Sequence, residues 1–189
     1  MKSHRIWLIV LMMPLLMSQL GCPSIPDDPN LDPNGTSELV EGVYSGEATT
    51  TLNTSTIGFQ APPPSTTSKS SSLEISISPD GWPMTSDGQE LTVGTKVAFQ
   101  IDQMNLTMTV TRVGVVDGNV KVTYDVSMTM VSLDQTSWTF TGTGEELYAL
   151  ADGDQLDYSR HLRLKGVLYI WWITMDFTTT ASLSPTAGS

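Results

Sequence analysis

Val120-Lys121-Val122-Thr123-Tyr124-Asp125-Val126-Ser127-Met128-Thr129-Met130 places an apolar or aromatic side chain at every even position. Successive side chains of a strand point to opposite faces, so alternation over this length reads as a strand with one buried face and one wet face. Upstream, Met104-Asn105-Leu106-Thr107-Met108-Thr109-Val110-Thr111 alternates in the same phase, and Asp117-Gly118 stands between the two runs. Asp-Gly favours the primed turns whose twist matches that of paired strands. The two runs form a long β-hairpin.

Further strands are expected at Leu39 to Leu52, Leu73 to Ser78, Glu90 to Val93, Lys96 to Ile101, Trp138 to Thr143, Glu146 to Leu150, Gln155 to Lys165 and Val167 to Thr178. Thr, Val, Ile and aromatic residues dominate them, as pleated surfaces favour. No segment carries a capped apolar stripe of helical period. Gln60 to Ser72, with Pro62, Pro63 and Pro64 followed by Ser and Thr, is expected to be a surface insertion.

The alternation changes phase after Arg112, after Met130, and between Ile170 and Ile173. A one-residue slip would turn a whole apolar set to solvent, so each change implies a bulge or bend that lets a sheet curl. The expected fold is all-β, an antiparallel up-and-down barrel of about 8–10 strands, with a β-sandwich as the alternative. A strand followed by a long first loop resembles lipocalin-like barrels. The likeness is one of topology, and no ligand or site residue carries over from it.

The chain has 189 residues, with 9 basic against 20 acidic side chains and a net charge of -11. An acidic surface excludes nucleic acid as a partner, because binding there depends on cations that displace counterions. The single cysteine excludes an internal disulfide and a multi-cysteine metal site. That cysteine closes the N-terminal segment. Lys2, His4 and Arg5 precede an apolar run from Ile6 to Met17, and small and polar residues lead to Gly21-Cys22. A run this short suits the core of a signal peptide, whereas a spanning helix needs about 20 residues.

Gln19-Leu20-Gly21-Cys22 resembles the lipobox of bacterial lipoproteins. The resemblance implies cleavage before Cys22 and a thioether-linked diacylglycerol on its sulfur, with a further acyl chain such as palmitate on its amino group in many bacteria. Two or more chains hold a protein stably at a membrane, each buried methylene contributing about 0.8 kcal/mol. Pro23, in place of the Asp that retains some lipoproteins at the inner membrane, implies the outer membrane or cell surface. Cleavage would leave 7 basic against 20 acidic side chains, a net charge of -13. The expected organisation is a signal peptide at 1–21, the lipidated cysteine with a Pro/Asp-rich tether at 22–37, one β domain at 38–181, and a tail at 182–189.

Candidate chemistry is sparse. His161 lies opposite in phase to Leu162 and Leu164, which puts it on the wet face, and no nucleophile motif accompanies it. Asp152-Gly153-Asp154 with Asp157 reads as a hairpin turn, since the twelve-residue calcium loop is absent. Glu145 and Glu146, being adjacent in a strand, point to opposite faces and do not form a catalytic pair. Asn53-Thr54-Ser55 and Asn105-Leu106-Thr107 match glycosylation acceptors. No phosphate loop, zinc spacing or serine elbow is present, so neither enzyme activity nor a cofactor is expected.

Met104, Leu106, Met108, Tyr124, Val126, Met128 and Met130 share the inward face of the central hairpin. Methionine fills irregular space, which suits a packed core or an adaptable apolar pocket. Tyr169, Trp171 and Trp172 make 167–173 apolar on both faces, a candidate partner surface unless the chain covers it. The functional expectation is a lipid-anchored envelope protein without catalysis, binding an apolar small molecule or an envelope protein. The alternative is an assembly lipoprotein that contacts its partners through 167–173.

Overall fold

The computed structural model describes residues 28–101, 104–131, 136–151 and 154–186. The signal segment, Cys22, Asp152-Gly153 and the last three residues lie outside these. The described chain forms one antiparallel sheet of eight strands: β1 (Gly42–Ile57), β2 (Ser65–Ile77), β3 (Lys96–Ile101), β4 (Met104–Val116), β5 (Asn119–Val131), β6 (Ser137–Ala151), β7 (Gln155–Leu168) and β8 (Trp171–Pro185).

The strand order is β2-β1-β8-β7-β6-β5-β4-β3. Each strand therefore neighbours its sequence neighbour, and β1 also pairs with β8, as in an up-and-down barrel. Among the described residues, the one pairing that would complete the ring, β2 with β3, is absent. The sheet curls into an open barrel with a slot between these two edges. A single sheet rules out the sandwich alternative.

The central hairpin has the expected register, with Met104 opposite Met130 and Val115 opposite Val120. Its turn residues Asp117 and Gly118 have φ of 50° and 79°, as a primed two-residue turn requires. The phase change at Arg112 is a bulge between Val110 and Arg112. The other two changes are strand ends. β5 stops at Val131, and β7 and β8 are separated by a two-residue turn at Tyr169 and Ile170. The apolar run 167–173 is thus a hairpin tip, where the sequence reading took it for part of a single strand.

Three other segments depart from expectation. Ser65 to Ser72, expected within an insertion, instead extends the strand expected from Leu73 into one long β2, where exposed Ser and Thr suit faces that are both wet. Trp138 to Thr143 and Glu146 to Leu150 are one continuous strand, β6. Glu90 makes only an isolated bridge to Met84, within the long β2–β3 connection.

Strand polarity defines two ends. The base holds the starts of β1, β3, β5 and β7, and the mouth holds their ends. The base is plugged by chain: Leu39 and Leu91 bury themselves there with Tyr44, Ile77, Leu156 and Leu183. Residues 28–37, expected to be free tether, lie against this end. Asp28 pairs with Lys121 at 3.2 Å, and Asp32 exchanges backbone hydrogen bonds with Val115. At the mouth, Met104, Leu106, Met130, Trp138 and Ile173 are only partly buried.

Candidate functional site

On five of the eight strands the inward face carries a polar row, while the inward faces of β4 and β5 stay apolar or aromatic throughout. Pairing aligns Glu146 with Arg160, Arg160 with Thr179, Thr179 with Thr50, and Thr50 with Lys69. One polar residue per strand thus runs across five neighbouring strands, from inside the barrel to the exposed edge β2. Thr50 and Thr179 share a hydroxyl hydrogen bond at 2.9 Å.

Glu146 is the inner end of this row and only 5% exposed. Its carboxylate accepts hydrogen bonds from the hydroxyls of Tyr124 at 2.6 Å, Tyr158 at 3.0 Å, and Tyr148. The Arg160 guanidinium stands 3.6 Å from the same carboxylate. A buried carboxylate is tolerated where its lone pairs are filled and its charge is offset, and four donors achieve that here. Burial pushes the three tyrosine hydroxyls well above their ordinary range, and the Glu146 charge raises them further. These hydroxyls therefore act as donors at neutral pH and not as bases. The cluster is closely packed, with Tyr148 and Tyr158 ring centroids 5.3 Å apart.

On the mouth side of the row, Met104, Leu106, Met128, Leu162 and Phe177 line an apolar cavity of about 90 Å³. Three of the seven residues expected to face a ligand are there. Met108, Val126 and the ring of Tyr124 are instead packed solid, and Met130 is half-buried nearer the rim. The room arises because β3 ends the sheet beside β4, leaving Phe99 half-open at the slot instead of covered by another strand.

The outer face carries His161, whose Nε2 lies 3.8 Å from Asp176, while Arg163 holds that carboxylate at 3.3 Å. Glu145 also faces outward, 3.3 Å from Lys121, so Glu145 and Glu146 do point to opposite faces. Asp154, the first described residue after Asp152-Gly153, has φ of 60°. Among the described residues, no three His, Cys, Asp or Glu side chains gather as a metal site would require.

Tyr169 forms the tip of the β7–β8 hairpin and stacks obliquely on Trp138 at 5.1 Å. Trp171 turns toward the β1–β2 loop, its indole N–H donating to the Phe59 carbonyl at 3.0 Å. Trp172 is partly exposed beside Ile57, its partner in β1. The candidate partner residues thus divide: Trp171 braces two hairpin tips together, while Tyr169 and Trp172 face solvent.

The sequence reading missed Glu146 and Arg160 as inward residues. A signal was present, because Glu146 shares the even phase of Phe140 and Tyr148, and Arg160 that of Leu156, Tyr158, Leu162 and Leu164. Breaking β6 between Thr143 and Glu146 hid the first of them. Comparison with protein-family models, curated proteins and solved structures gives no match to this chain.

Proposed function

We propose that this chain is a non-catalytic binding module of the cell envelope, held at a membrane by a lipid on Cys22, that takes an apolar small molecule at the barrel mouth. The observation that carries the binding role is the cavity bounded by Met104, Leu106, Met128, Leu162 and Phe177, apolar throughout and beside the open slot. Toward the base the cavity is bounded by Arg160 and Thr179 of the polar row beneath Leu162 and Phe177, and by packed Met108 and Val126 on the other side. A cavity of about 90 Å³ seats the end of a ligand, and the slot gives the remainder a way out. Three of its five walls are Met or Phe, which adapt in shape or present a flat face.

Uptake of an apolar fluorescent probe tests the binding role, together with native mass spectrometry of protein purified from its host. We expect probe binding that Met128→Trp abolishes by filling the cavity while the strand content stays unchanged. A parent protein that takes up no probe and carries no extractable ligand overturns this role. The anchor is tested separately: Cys22→Ser should release the protein from membranes, and a variant that still partitions with them sinks that part. The second reading, an assembly role through 167–173, is favoured by the exposure of Tyr169 and Ile170 at the mouth.

A further inference from the structure

Of the large apolar side chains left exposed, Ile57, Phe59, Val167, Tyr169, Ile170 and Trp172 all stand on two adjacent hairpin tips at the mouth. Phe59 is 77% exposed, Tyr169 67% and Ile170 65%. The β1–β2 tip and the β7–β8 tip are held as one unit by the Trp171–Phe59 hydrogen bond and by the pairing of Ile57 with Trp172. An apolar group this continuous on a strongly acidic protein marks a contact surface.

Four features give the chemistry of what it meets. From Ile57 through Pro64, and from Gly166 through Ile173, neither tip contains a charged residue. Pro62, Pro63 and Pro64 have no N–H to strip of water, and the Ala61 N–H is already satisfied by the Gly58 carbonyl at 3.3 Å. Entry into a medium without hydrogen-bonding partners therefore leaves few donors unsatisfied. Tyr and Trp combine an apolar body with a polar handle, the pairing favoured at the boundary between acyl chains and headgroups. Tyr169 is held at φ 56°, where glycine would be free of strain, so an exposed aromatic is kept at the tip against a backbone cost of about 1 kcal/mol.

Among the described residues, acidic side chains concentrate toward the base, while Asp176, nearer the tips, is paired with Arg163. Asp32, Glu38, Glu41, Asp117, Asp154 and Asp157 lie at or beside the base, far from the tips. Exposed Lys165 lies three residues before the end of β7, just behind the β7–β8 tip, and exposed Lys69 lies on β2, behind the β1–β2 tip. A surface with negative headgroups over an apolar interior complements this arrangement, whereas the acidic base would be repelled by it.

We propose that the paired hairpin tips seat in the headgroup layer of a lipid bilayer that carries anionic lipid, mouth toward the membrane. The proposal uses no residue of the cavity, so it and the small-molecule reading stand or fall separately. Asp28 is held at the base, and only five residues separate it from Cys22, a reach of about 20 Å. The membrane met by the tips is therefore a second one, facing the membrane that would hold the lipid. The cavity would then face the phase in which apolar molecules dissolve.

The test places a polarity-sensitive fluorophore at Tyr169→Cys or, for comparison, at Val93→Cys, both in the full chain carrying Cys22→Ser. Val93 is exposed near the base end of β3, away from the tips. Vesicles of phosphatidylcholine with phosphatidylglycerol are added, with and without brominated acyl chains. The expected result is a blue-shifted emission and several-fold quenching at position 169, with neither at position 93. The readout is depth at a position, so any contribution of the N-terminal segment to vesicle binding does not imitate it. Phe59→Asp with Ile170→Asp should weaken insertion about tenfold or more, and both side chains are exposed enough for the fold to survive. An unchanged label at 169, or equal change at 169 and 93, overturns the proposal. So does a shift that appears without vesicles as protein concentration rises, which would assign the tips to contact between protein chains.

Discussion

Glu146 shows how much one side chain decides in this barrel. Three tyrosine hydroxyls and a guanidinium are arranged around its buried carboxylate. Glu146→Ala would leave those donors unpaired and Arg160 without its counter-charge, so the variant should lose about 3–5 kcal/mol of stability in urea unfolding. Tyr124→Phe removes one donor of several and should lose only about 1–2 kcal/mol. The same cluster sets an alkaline limit. The folded pKa values of Tyr124, Tyr148 and Tyr158 lie above the ordinary value of 10.0, so each group keeps its proton in the folded chain while the unfolded chain gives it up. Their contribution is whole below about pH 10 and is lost as pH rises beyond it toward the folded values. Absorbance titration at 295 nm should show these three ionising only together with loss of the fold.

At the scale of the strand, the inner surface depends on small residues as much as on large ones. Gly142 and Gly144 fall in the inward phase of β6, opposite Leu164 and Leu162 of β7. A Cβ at Gly142 would collide with the Arg163 carbonyl oxygen, backbone that has no free rotamer to escape into. The absence of a side chain there lets β6 and β7 approach and turn sharply, which curls the sheet. Gly142→Ala should therefore destabilise the domain by about 2–4 kcal/mol, measured as a lowered urea midpoint with an unchanged slope. Strands with one wet face were legible from alternation, as β4, β5 and β7 demonstrate. The first part of β2 was hidden by its edge position, since Ser65 to Ser72 are exposed on both faces and no apolar period marks them. The β7–β8 turn was hidden for the opposite reason. Tyr169 and Ile170 are not turn residues by chemistry, and the turn is imposed by the pairing of Leu168 with Trp171.

On the scale of the molecule, an opened barrel has two unpaired edges to protect. β3 is short, and β2 is polar on both sides from Ser65 to Ser72, with Lys69 aligned on the inward row. Short strands and inward charges discourage another chain from adding to an edge. Lys69→Val should make β2 adhesive, and size-exclusion chromatography should show concentration-dependent association absent from the parent. Alternation in Met104–Val131 and the Asp-Gly turn were enough to determine an antiparallel all-β chain, because side-chain direction in a strand follows from local backbone geometry. The lone cysteine and its setting likewise carry the lipid-anchor expectation by themselves. Only the tertiary structure decided that the ring stays open between β2 and β3, that Glu146 is buried among tyrosines, and that the exposed aromatics converge on one rim. Those features depend on which strands become neighbours, and pairing between distant segments is set by the whole packed sheet and not by any stretch of sequence read alone.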